Sequence, residues 1–437
     1  MLFGYAPDYV TNEVYFDPEN RAYVRHRTAS LYVSNSLMVL EPDGWVERPF
    51  VEAIRAALPD YVGTHFGGGF LGAKVAFDGR GGAYTLLSVR RRDGSRCGAL
   101  LFTPDRGEHY QVLLFPADEF DIEQFTGHNA LSEPPPVLSY VFTRPHPARF
   151  CGYYDLFLYL PRREGDRVSL GDPVKVTDNC LGSCQHSGGP ASTATRNGKT
   201  HIVWGEVAPD NAAGVPTWTA TFDHATRTLG KKVYLADAPP VNDVHNVPAI
   251  TIDRAGYLHI VTGAHGEPFQ YLRSLKPNDT AAGFTKPVPV LSEGCVETGT
   301  GPRGRGRQTY ISLVCGPDDT LHLVCRQWRA GVDSYHGGAL YAALSYQRKP
   351  KNAPWEPARP LVIPPLPGYS IYYHKLSIDR TGRLFLSYSY YSGEPSYQEE
   401  FPDRYHHQAV MLSADGGDTW KLAETDDFRP PAPRRKP

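Results

Sequence analysis

Residues 249–265, AITIDRAGYLHIVTGAH, contain two short runs rich in β-branched residues, separated by the turn DRAG. β-Branched residues favour strands, while Asp and Gly favour a tight turn, so this stretch predicts a β-hairpin. Similar stretches recur along the chain. Five begin at Glu13, Ala73, Pro190, Ile311 and Lys375, and a looser copy with a longer connection begins at Pro136.

These seven hairpins divide the 437 residues into units of roughly 60 residues. Each hairpin is followed by a more variable stretch with two further strand-like runs, and four short strands per unit are typical of a β-propeller blade. The sequence therefore predicts an all-β, seven-bladed β-propeller that forms a single domain over residues 1–437. The predicted blades are approximately 8–50, 68–118, 128–177, 185–237, 243–292, 306–364 and 370–423.

Two local segments refine this prediction. Residues 51–58, VEAIRAAL, are the one stretch that reads as a helical turn or two. Residues 413–420, SADGGDTW, fit the pattern S-x-D-x-G-x-T-W of an Asp-box, a hairpin turn in which Ser and Asp side chains bind backbone N–H groups. The sequence shows one such box, which supports a propeller blade and indicates no particular function.

Composition excludes some classes of function. The net charge is −2, so the basic excess of a general nucleic-acid binder is absent. No apolar run reaches the length of a membrane span, and the first residues lack the pattern of a signal peptide. We therefore expect no nucleic-acid and no membrane partner.

The cysteines give a weak signal for a metal. Their number is seven, so at least one stays unpaired. Cys180 and Cys184 are the only close pair, and His186 follows them, but no fourth zinc ligand is evident. We favour structural or inert roles for these cysteines.

A candidate site follows from the register of the blades. The first strand of each blade lines the central channel, so the residues just before it lie at the channel mouth. His245 and Tyr310 each lie eight residues before a turn aspartate of their blade, and Tyr9 takes this position in the first blade. In the fourth blade the position falls on Ser187, and a β-bulge would bring its neighbour His186 there. Polar and aromatic residues at one register would converge on one face.

His245 precedes the first strand of its blade and His265 follows the second, so both can lie on that face. Histidines transfer protons near neutral pH. Alternatively, His245 caps a strand and His265 lies on the surface.

The next unit adds a cation and a phenol. Arg326 ends an otherwise apolar strand, where a charge is costly unless it is paired or reaches the channel mouth, and there it could bind a carboxylate. Tyr310 could act as acid or base if that charge lowers its pKa. The run Arg303, Arg305 and Arg307 could attract an anionic chain or form a solvated loop.

Residues 243–265, with the Thr309-Tyr310 pair and Arg326, resemble the BNR-repeat type of seven-bladed propeller, most clearly over about residues 182–420. That group includes polysaccharide lyases that cut ulvan and related enzymes that cut rhamnose–glucuronate linkages. The resemblance implies that His245 and His265 are catalytic, that Tyr310 takes part in proton transfer and that Arg326 neutralises the uronate carboxylate.

The sequence thus predicts a polysaccharide lyase that cleaves a uronate-containing acidic glycan by β-elimination, with ulvan-like polymers first and rhamnose–glucuronate side chains second. Predicted substrate contacts are Asn246, His186, Arg307, Tyr373 and His374. We expect no cofactor for the chemistry, a structural calcium or zinc ion as an option, and a monomer that acts as a secreted or periplasmic protein. The alternatives are a glycoside hydrolase of the α-L-rhamnosidase type and a non-catalytic glycan-binding propeller. A hydrolase usually needs two facing carboxylates, and the channel register shows no such pair.

Overall fold

The computed structural model describes a chain built almost entirely from strands. It covers residues 14–27, 34–64, 74–129, 133–147, 149, 151–182, 189–265, 267–291, 307–330, 340–366, 371–391 and 406–431. The strands form seven antiparallel sheets arranged as the blades of a β-propeller, which confirms the predicted fold class. No helix in the described part of the chain is long and apolar enough to cross a lipid bilayer.

The blades follow one another in chain order. Blade 1 consists of β1 Val14–Phe16, β2 Ala22–Arg27, β3 Ser34–Glu41 and β4 Gly44–Pro49. Blade 2 follows the helix α1 Val51–Ala57 and consists of β5 Tyr61–Thr64, β6 Val75–Phe77, β7 Ala83–Arg91, β8 Arg96–Thr103 and β9 Gln111–Phe115. Blade 3 consists of β10 Glu119–Ile122, β11 Val137–Pro145, β12 Gly152–Tyr159 and β15 Val174–Cys180, with a separate hairpin of β13 Arg162–Glu164 and β14 Arg167–Ser169.

The remaining blades have the same plan. Blade 4 consists of β16 Thr193–Arg196, β17 Lys199–Gly205, β18 Val215–Asp223, β19 Thr228–Leu229 and β20 Val233–Ala238. Blade 5 consists of β21 Ala249–Ile252, β22 Leu258–Thr262, β23 Phe269–Lys276, β24 Asp279–Phe284 and β25 Val288–Val290. Blade 6 consists of β26 Arg307–Cys315, β27 Leu321–Ala330, β28 Leu340–Lys349 and β29 Arg359–Val362. Blade 7 consists of β30 Ile371–Ile378, β31 Leu384–Tyr391, β32 His406–Ser413 and β33 Lys421–Leu422, and a short 3₁₀ helix, Thr425–Phe428, follows it.

The hydrophobic core lies between the blades. Seven clusters of buried apolar side chains each join two neighbouring blades, and the seventh joins blade 7 to blade 1. In that last cluster the rings of Phe16 and Phe385 are 4.8 Å apart. The Arg380 side chain adds hydrogen bonds to the carbonyl oxygens of Phe16 and Asp17, so both apolar and polar contacts close the ring.

The predicted hairpin is the inner half of six blades. In the turn of blade 2 the carboxylate of Asp78 accepts from the N–H groups of Arg80 and Gly82, both at 2.9 Å, whereas blade 4 has Thr195 at this position. Blade 3 differs from the sequence interpretation, because the hairpin that begins at Pro136 forms its second and third strands. The innermost strand is β10, which begins before the predicted start of this blade at residue 128. It is too short and too polar in sequence, EFDI, to be recognised as a strand by periodicity.

Residues 413–420 form the predicted Asp-box turn, and a second turn of this kind, which the sequence pattern did not reveal, lies in blade 2. Ser413 Oγ donates to Asp415 at 2.8 Å and accepts from the N–H of Gly417 at 2.9 Å. The turn from Thr103 to Tyr110 in blade 2 repeats this arrangement: Thr103 Oγ1 donates to Asp105 at 2.9 Å and accepts from the N–H of Gly107 at 2.7 Å. Thr103, His109 and Tyr110 replace the Ser, Thr and Trp of the pattern S-x-D-x-G-x-T-W, so the pattern does not find this turn.

Residues 123–129, EQFTGHN, leave β10 and reach the inner strands of blades 4 and 6. Glu123 accepts the Thr195 N–H in blade 4, and the Thr126 carbonyl oxygen accepts the Cys315 N–H in blade 6. Phe125 lies under the Arg380 guanidinium, 3.8 Å from ring centroid to Cζ. We call this segment the plug, because a chain that joins blade 3 to blades 4, 6 and 7 must lie in the central channel.

Candidate active site

Blades 5 and 6 bring the four predicted catalytic side chains to one end of the propeller. His245 lies just before β21 and His265 just after β22, so the antiparallel pairing of these strands places the two at the same end. Tyr310 lies near the start of β26, and Arg326 lies in the second half of the neighbouring β27. Residues 16 to 81 positions apart in sequence thus become neighbours.

Asp243 holds the two histidines together. Its Oδ1 atom is 2.7 Å from Nδ1 of His245, and its Oδ2 atom is 2.7 Å from Nδ1 of His265. The His245 backbone N–H also donates to Oδ1 at 2.9 Å. The two imidazole rings meet edge to face, with centroids 4.7 Å apart. Nothing in the sequence indicated that one carboxylate holds both His245 and His265.

This arrangement determines the protonation of both rings. Burial acts to raise the pKa of Asp243, but hydrogen bonds from His245 and His265 outweigh it and hold the pKa well below its ordinary value. An ionised carboxylate only accepts hydrogen bonds, so both Nδ1 atoms must carry a proton. Nε2 is therefore the nitrogen of each ring that faces away from the Asp243 carboxylate. The side chains of His245 and His265 are 25% and 34% exposed, so these bases are accessible to a ligand.

Tyr310 lies beside His245 in a distorted part of β26. The Tyr310 ring is 5.6 Å from the His245 ring, and the Arg326 guanidinium carbon is 4.5 Å from the centroid of the same phenol ring. The register of β26 against β27 shifts between Thr309 and Ser312, and Tyr310 within this bulge has a φ of 70°. A bulky residue rarely adopts a positive φ, and such strain is concentrated at functional sites. The bulge places this tyrosine between the histidine and the arginine.

His374 supports the bulge from below. The backbone groups of Tyr310 and Val324 hydrogen-bond to its ring, and burial lowers its pKa to about 3. β30 has a register shift at the corresponding place, between Tyr372 and Lys375. A substrate contact was predicted for His374, but the side chain is completely buried, so its placement is that of a support for Tyr310.

Of the other predicted substrate contacts, the structure describes the side chain of Asn246. Asn246 is 2% exposed and its amide donates to the Pro240 carbonyl oxygen at 2.9 Å, so it is part of the framework behind His245. Arg307 and Tyr373 lie on β26 and β30, but their side chains are outside the described residues. His186 and Cys184 are also outside them, as is Tyr9, while Cys180 is buried without a disulfide.

Two groups of side chains in the described residues are close enough to share a metal ion: Asp243 with His245 and His265, and His128 with Cys315 and Asp319. In the first group both carboxylate oxygens of Asp243 already accept hydrogen bonds from the Nδ1–H groups of the two histidines. In the second, Asp319 accepts from the Arg254 N–H at 2.8 Å and from Lys351 at 2.7 Å. In both groups the carboxylate already accepts hydrogen bonds from within the protein.

Comparison with known proteins supports the propeller assignment. Residues 217–432, which contain all four predicted catalytic residues, match the model of the family described as "BNR repeat-containing family member". No curated protein has a significantly similar sequence.

Three solved structures illustrate the structural similarity. An ulvan lyase of polysaccharide lyase family 25 has a TM-score of 0.36 and 15% identity, over 55% of this chain and 54% of the lyase. The Trypanosoma rangeli sialidase has a TM-score of 0.41 and 11% identity, over 86% of this chain and 57% of the sialidase. A Dyadobacter fermentans protein of unknown function has a TM-score of 0.41 and 12% identity, over 78% of this chain and 93% of that protein. The chain thus covers just over half the length of the lyase and the sialidase, and similarity at this level does not extend to the reaction.

Proposed function

We propose that this protein, whose residues 217–432 belong to the BNR repeat-containing family, is a polysaccharide lyase that cleaves a uronate-containing acidic glycan by β-elimination. The observation that carries the proposal is the Asp243 carboxylate, which fixes two imidazoles in the same tautomer beside a phenol and a guanidinium. Ulvan-like polymers are the first candidate substrates and rhamnose–glucuronate side chains the second.

The reaction needs a base, an acid and a cation. A base removes the proton from C5 of the uronate, the C4–O bond breaks, and the electron pair of the C5–H bond becomes the C4=C5 double bond. The leaving oxygen takes a proton, so atoms and charge balance. The C5 proton is weakly acidic while the adjacent carboxylate is charged, and a cation near that carboxylate stabilises the enolate-like transition state.

The residues suit these roles. Nε2 of His245 is the base, because Asp243 keeps the proton of this ring on Nδ1. Tyr310 is adjacent and carries the only phenol O–H of the cluster, so it donates the proton to the leaving oxygen. Arg326 supplies the guanidinium that pairs with the substrate carboxylate; it lies next to the Tyr310 ring and is 4% exposed. His265 provides a second imidazole in the same tautomer, and its side chain is 34% exposed.

A hydrolytic mechanism has less support. Retaining and inverting glycosidases usually place two carboxyl groups on either side of the scissile bond. Among the described residues of the cluster the carboxylate is Asp243, and both of its oxygens are already used by histidines.

The test is to incubate the protein with ulvan, glucuronan and gum-arabic glycans and to follow the ultraviolet absorbance of the 4,5-unsaturated uronate. We expect an increase that falls by about 10²- to 10⁴-fold in His245→Ala and Tyr310→Phe, because each change removes one proton-transfer group. Arg326→Ala should also lose most of the rate. Arg55→Ala is a surface control, because this side chain is 59% exposed on α1 in a different part of the propeller.

New reducing ends without absorbance would identify a hydrolase instead. Binding of these glycans without turnover, unchanged in His245→Ala, would identify a glycan-binding propeller. Either outcome would overturn the proposal.

A further inference from the structure

The hairpin between β11 and β12 of blade 3 carries a basic and aromatic group close to the candidate active site. Arg144 and Tyr153 are directly opposite each other in the pairing of these strands. The Arg144 guanidinium carbon is 4.1 Å from the centroid of the Tyr153 ring. The ring of His146 also lies parallel to Tyr153, with 6.0 Å between centroids and 9° between planes.

A series of contacts connects this group to the catalytic candidates. Nε2 of His146 is 3.4 Å from the Nδ2 atom of Asn242, which immediately precedes Asp243 in the chain. The Asn242 side-chain amide also accepts from the N–H of Ala208 at 2.9 Å and donates to the carbonyl oxygen of Ala208 at 2.7 Å. These two hydrogen bonds hold the Asn242 side chain in place. In the same hairpin, burial and the charges of Asp210 and Asp243 raise the pKa of Cys151, so the hairpin lies within electrostatic reach of Asp243.

Arg144 is exposed and its charge is not neutralised locally. Within the part of the chain that the structure describes, no carboxylate lies within ion-pair distance of Arg144, whereas nearby Arg149 is paired with Asp210 at 3.1 Å. A guanidinium that stacks flat on a phenol keeps the N–H donors along its edge available. Stacking also restricts its rotamers, so less entropy is lost when those donors bind a ligand.

We propose that Arg144, held on Tyr153, is an anion-binding subsite for a sugar that neighbours the one cleaved at His245. The ligand chemistry is a planar or tetrahedral oxyanion, either the carboxylate of another uronate or a sulfate ester, and both match the edge of a guanidinium. This inference rests on the proposed function, because it assigns a second contact for the same acidic chain. It accounts for basic and aromatic residues that no step of the elimination uses.

The test measures cleavage of oligosaccharides of increasing length by Arg144→Ala. We expect KM for long chains to rise about tenfold, the loss of one charge-assisted contact, while kcat stays unchanged. The shortest substrate that is cleaved should show little change. Arg144→Lys keeps the charge but loses the stacked fork, so it should recover only part of the affinity.

A matched control is Arg162→Ala. Arg162 is also exposed and belongs to the same blade, but it follows β12 at its far end, away from the hairpin tip. Tyr153→Phe keeps the ring under Arg144 and should behave as the wild type, whereas Tyr153→Leu should weaken long-chain binding as Arg144→Ala does.

A comparison of ulvan with desulfated ulvan distinguishes a carboxylate from a sulfate ester as the anion that Arg144 binds. An Arg144→Ala effect on both polymers indicates a carboxylate, and an effect on ulvan alone indicates a sulfate. If the wild type cleaves these polymers and Arg144→Ala has wild-type KM at every length, the subsite is wrong while the lyase stands. If the wild type neither cleaves nor binds them, the proposed function fails and the subsite with it.

Discussion

Asp243 is the residue on which the candidate chemistry depends, although it need not touch the substrate. One ionised carboxylate accepts a hydrogen bond from the Nδ1–H group of each of two imidazoles and so leaves both Nε2 atoms facing away from it. A single histidine beside a carboxylate is common in proteins. The shared carboxylate is more specific, because it imposes the same tautomer on both rings.

Asp243→Asn tests this role. An amide can donate to Nδ1 of an imidazole, which moves the ring proton to Nε2 and removes the base. We expect the elimination rate to fall about 10²- to 10⁴-fold with little change in folding. Nitrogen NMR shifts of the histidine side chains report the change of tautomer directly.

Asp253→Asn is the control for that variant. Asp253 also lies beside a histidine, with 3.3 Å between its Oδ2 atom and Nε2 of His259, but it belongs to the turn at the other end of blade 5. Its variant should keep the wild-type rate per folded molecule. An equal loss of rate in both variants would argue against a special role for Asp243.

At the scale of the element, the plug and the bulged strands β26 and β30 determine where a ligand can bind in the propeller. Residues 123–129 cross the channel from blade 3 to the inner strands of blades 4 and 6. Gly127 is essential for this path: it has a φ of 126°, and a Cβ atom there would overlap the Cys315 carbonyl oxygen.

Gly127→Ala should therefore lower the free energy of unfolding by about 3 kcal/mol, through backbone strain and steric overlap. Gly165→Ala is the control, because Gly165 has a φ of 59° but open space around it, so it should cost about 1 kcal/mol. Denaturant unfolding measures both. Equal losses of unfolding free energy in the two variants would contradict the close packing of Gly127 against Cys315.

The support under the Tyr310 bulge predicts a dependence of stability on pH. Burial lowers the pKa of His374 to about 3, so the folded protein does not take up a proton there until the solution is strongly acidic. The unfolded chain takes one up near the ordinary value of about 6.5. This histidine therefore leaves stability unchanged above about pH 6.5 and lowers it as pH falls from about 6.5 towards 3.

Within that window the free energy of unfolding should fall by about 1.4 kcal/mol per pH unit because of His374, and His374→Gln should remove this slope. Urea unfolding of both proteins between pH 7 and 5 measures the difference. His109→Gln is the surface control, because His109 is 85% exposed, and it should leave the acid-side slope in place. A wild-type slope in His374→Gln would contradict the buried neutral ring.

At the scale of the whole molecule, seven interfaces between blades share the core, and the last one joins the two ends of the described chain. Phe428 in the C-terminal 3₁₀ helix is 1% exposed and packs on Phe385 of blade 7 and Trp45 of blade 1. Arg429 continues this contact by donating to the Glu41 carbonyl oxygen at 3.0 Å. The segment after the last strand therefore closes the ring.

Phe428→Ala should lower the free energy of unfolding by about 3 to 5 kcal/mol, the usual cost of removing a buried aromatic ring. Leu422→Ala, a few residues earlier, should cost less than about 0.5 kcal/mol because Leu422 is 64% exposed. Thermal unfolding compares the two. A small effect of Phe428→Ala would mean that the interface of blades 7 and 1 is held elsewhere.

The sequence by itself determined the all-β propeller, six of the seven inner hairpins, the helix at 51–57 and the identities of the four residues that gather at the site. These features are local: a run of β-branched residues, a turn aspartate and a register that repeats from blade to blade. They are readable because backbone sterics and hydrogen bonding within a few residues decide them.

Only the tertiary structure decided the rest. The innermost strand of blade 3 is short and polar and is a strand because β11 pairs with it. His374 is a support and not a surface contact because β26 and β27 cover it. The hydrogen bond between Asp243 and His265 and the contact of the plug with Cys315 join residues that are distant in sequence. Such contacts depend on how the blades pack, since the same side chain is exposed or buried according to what other strands place against it.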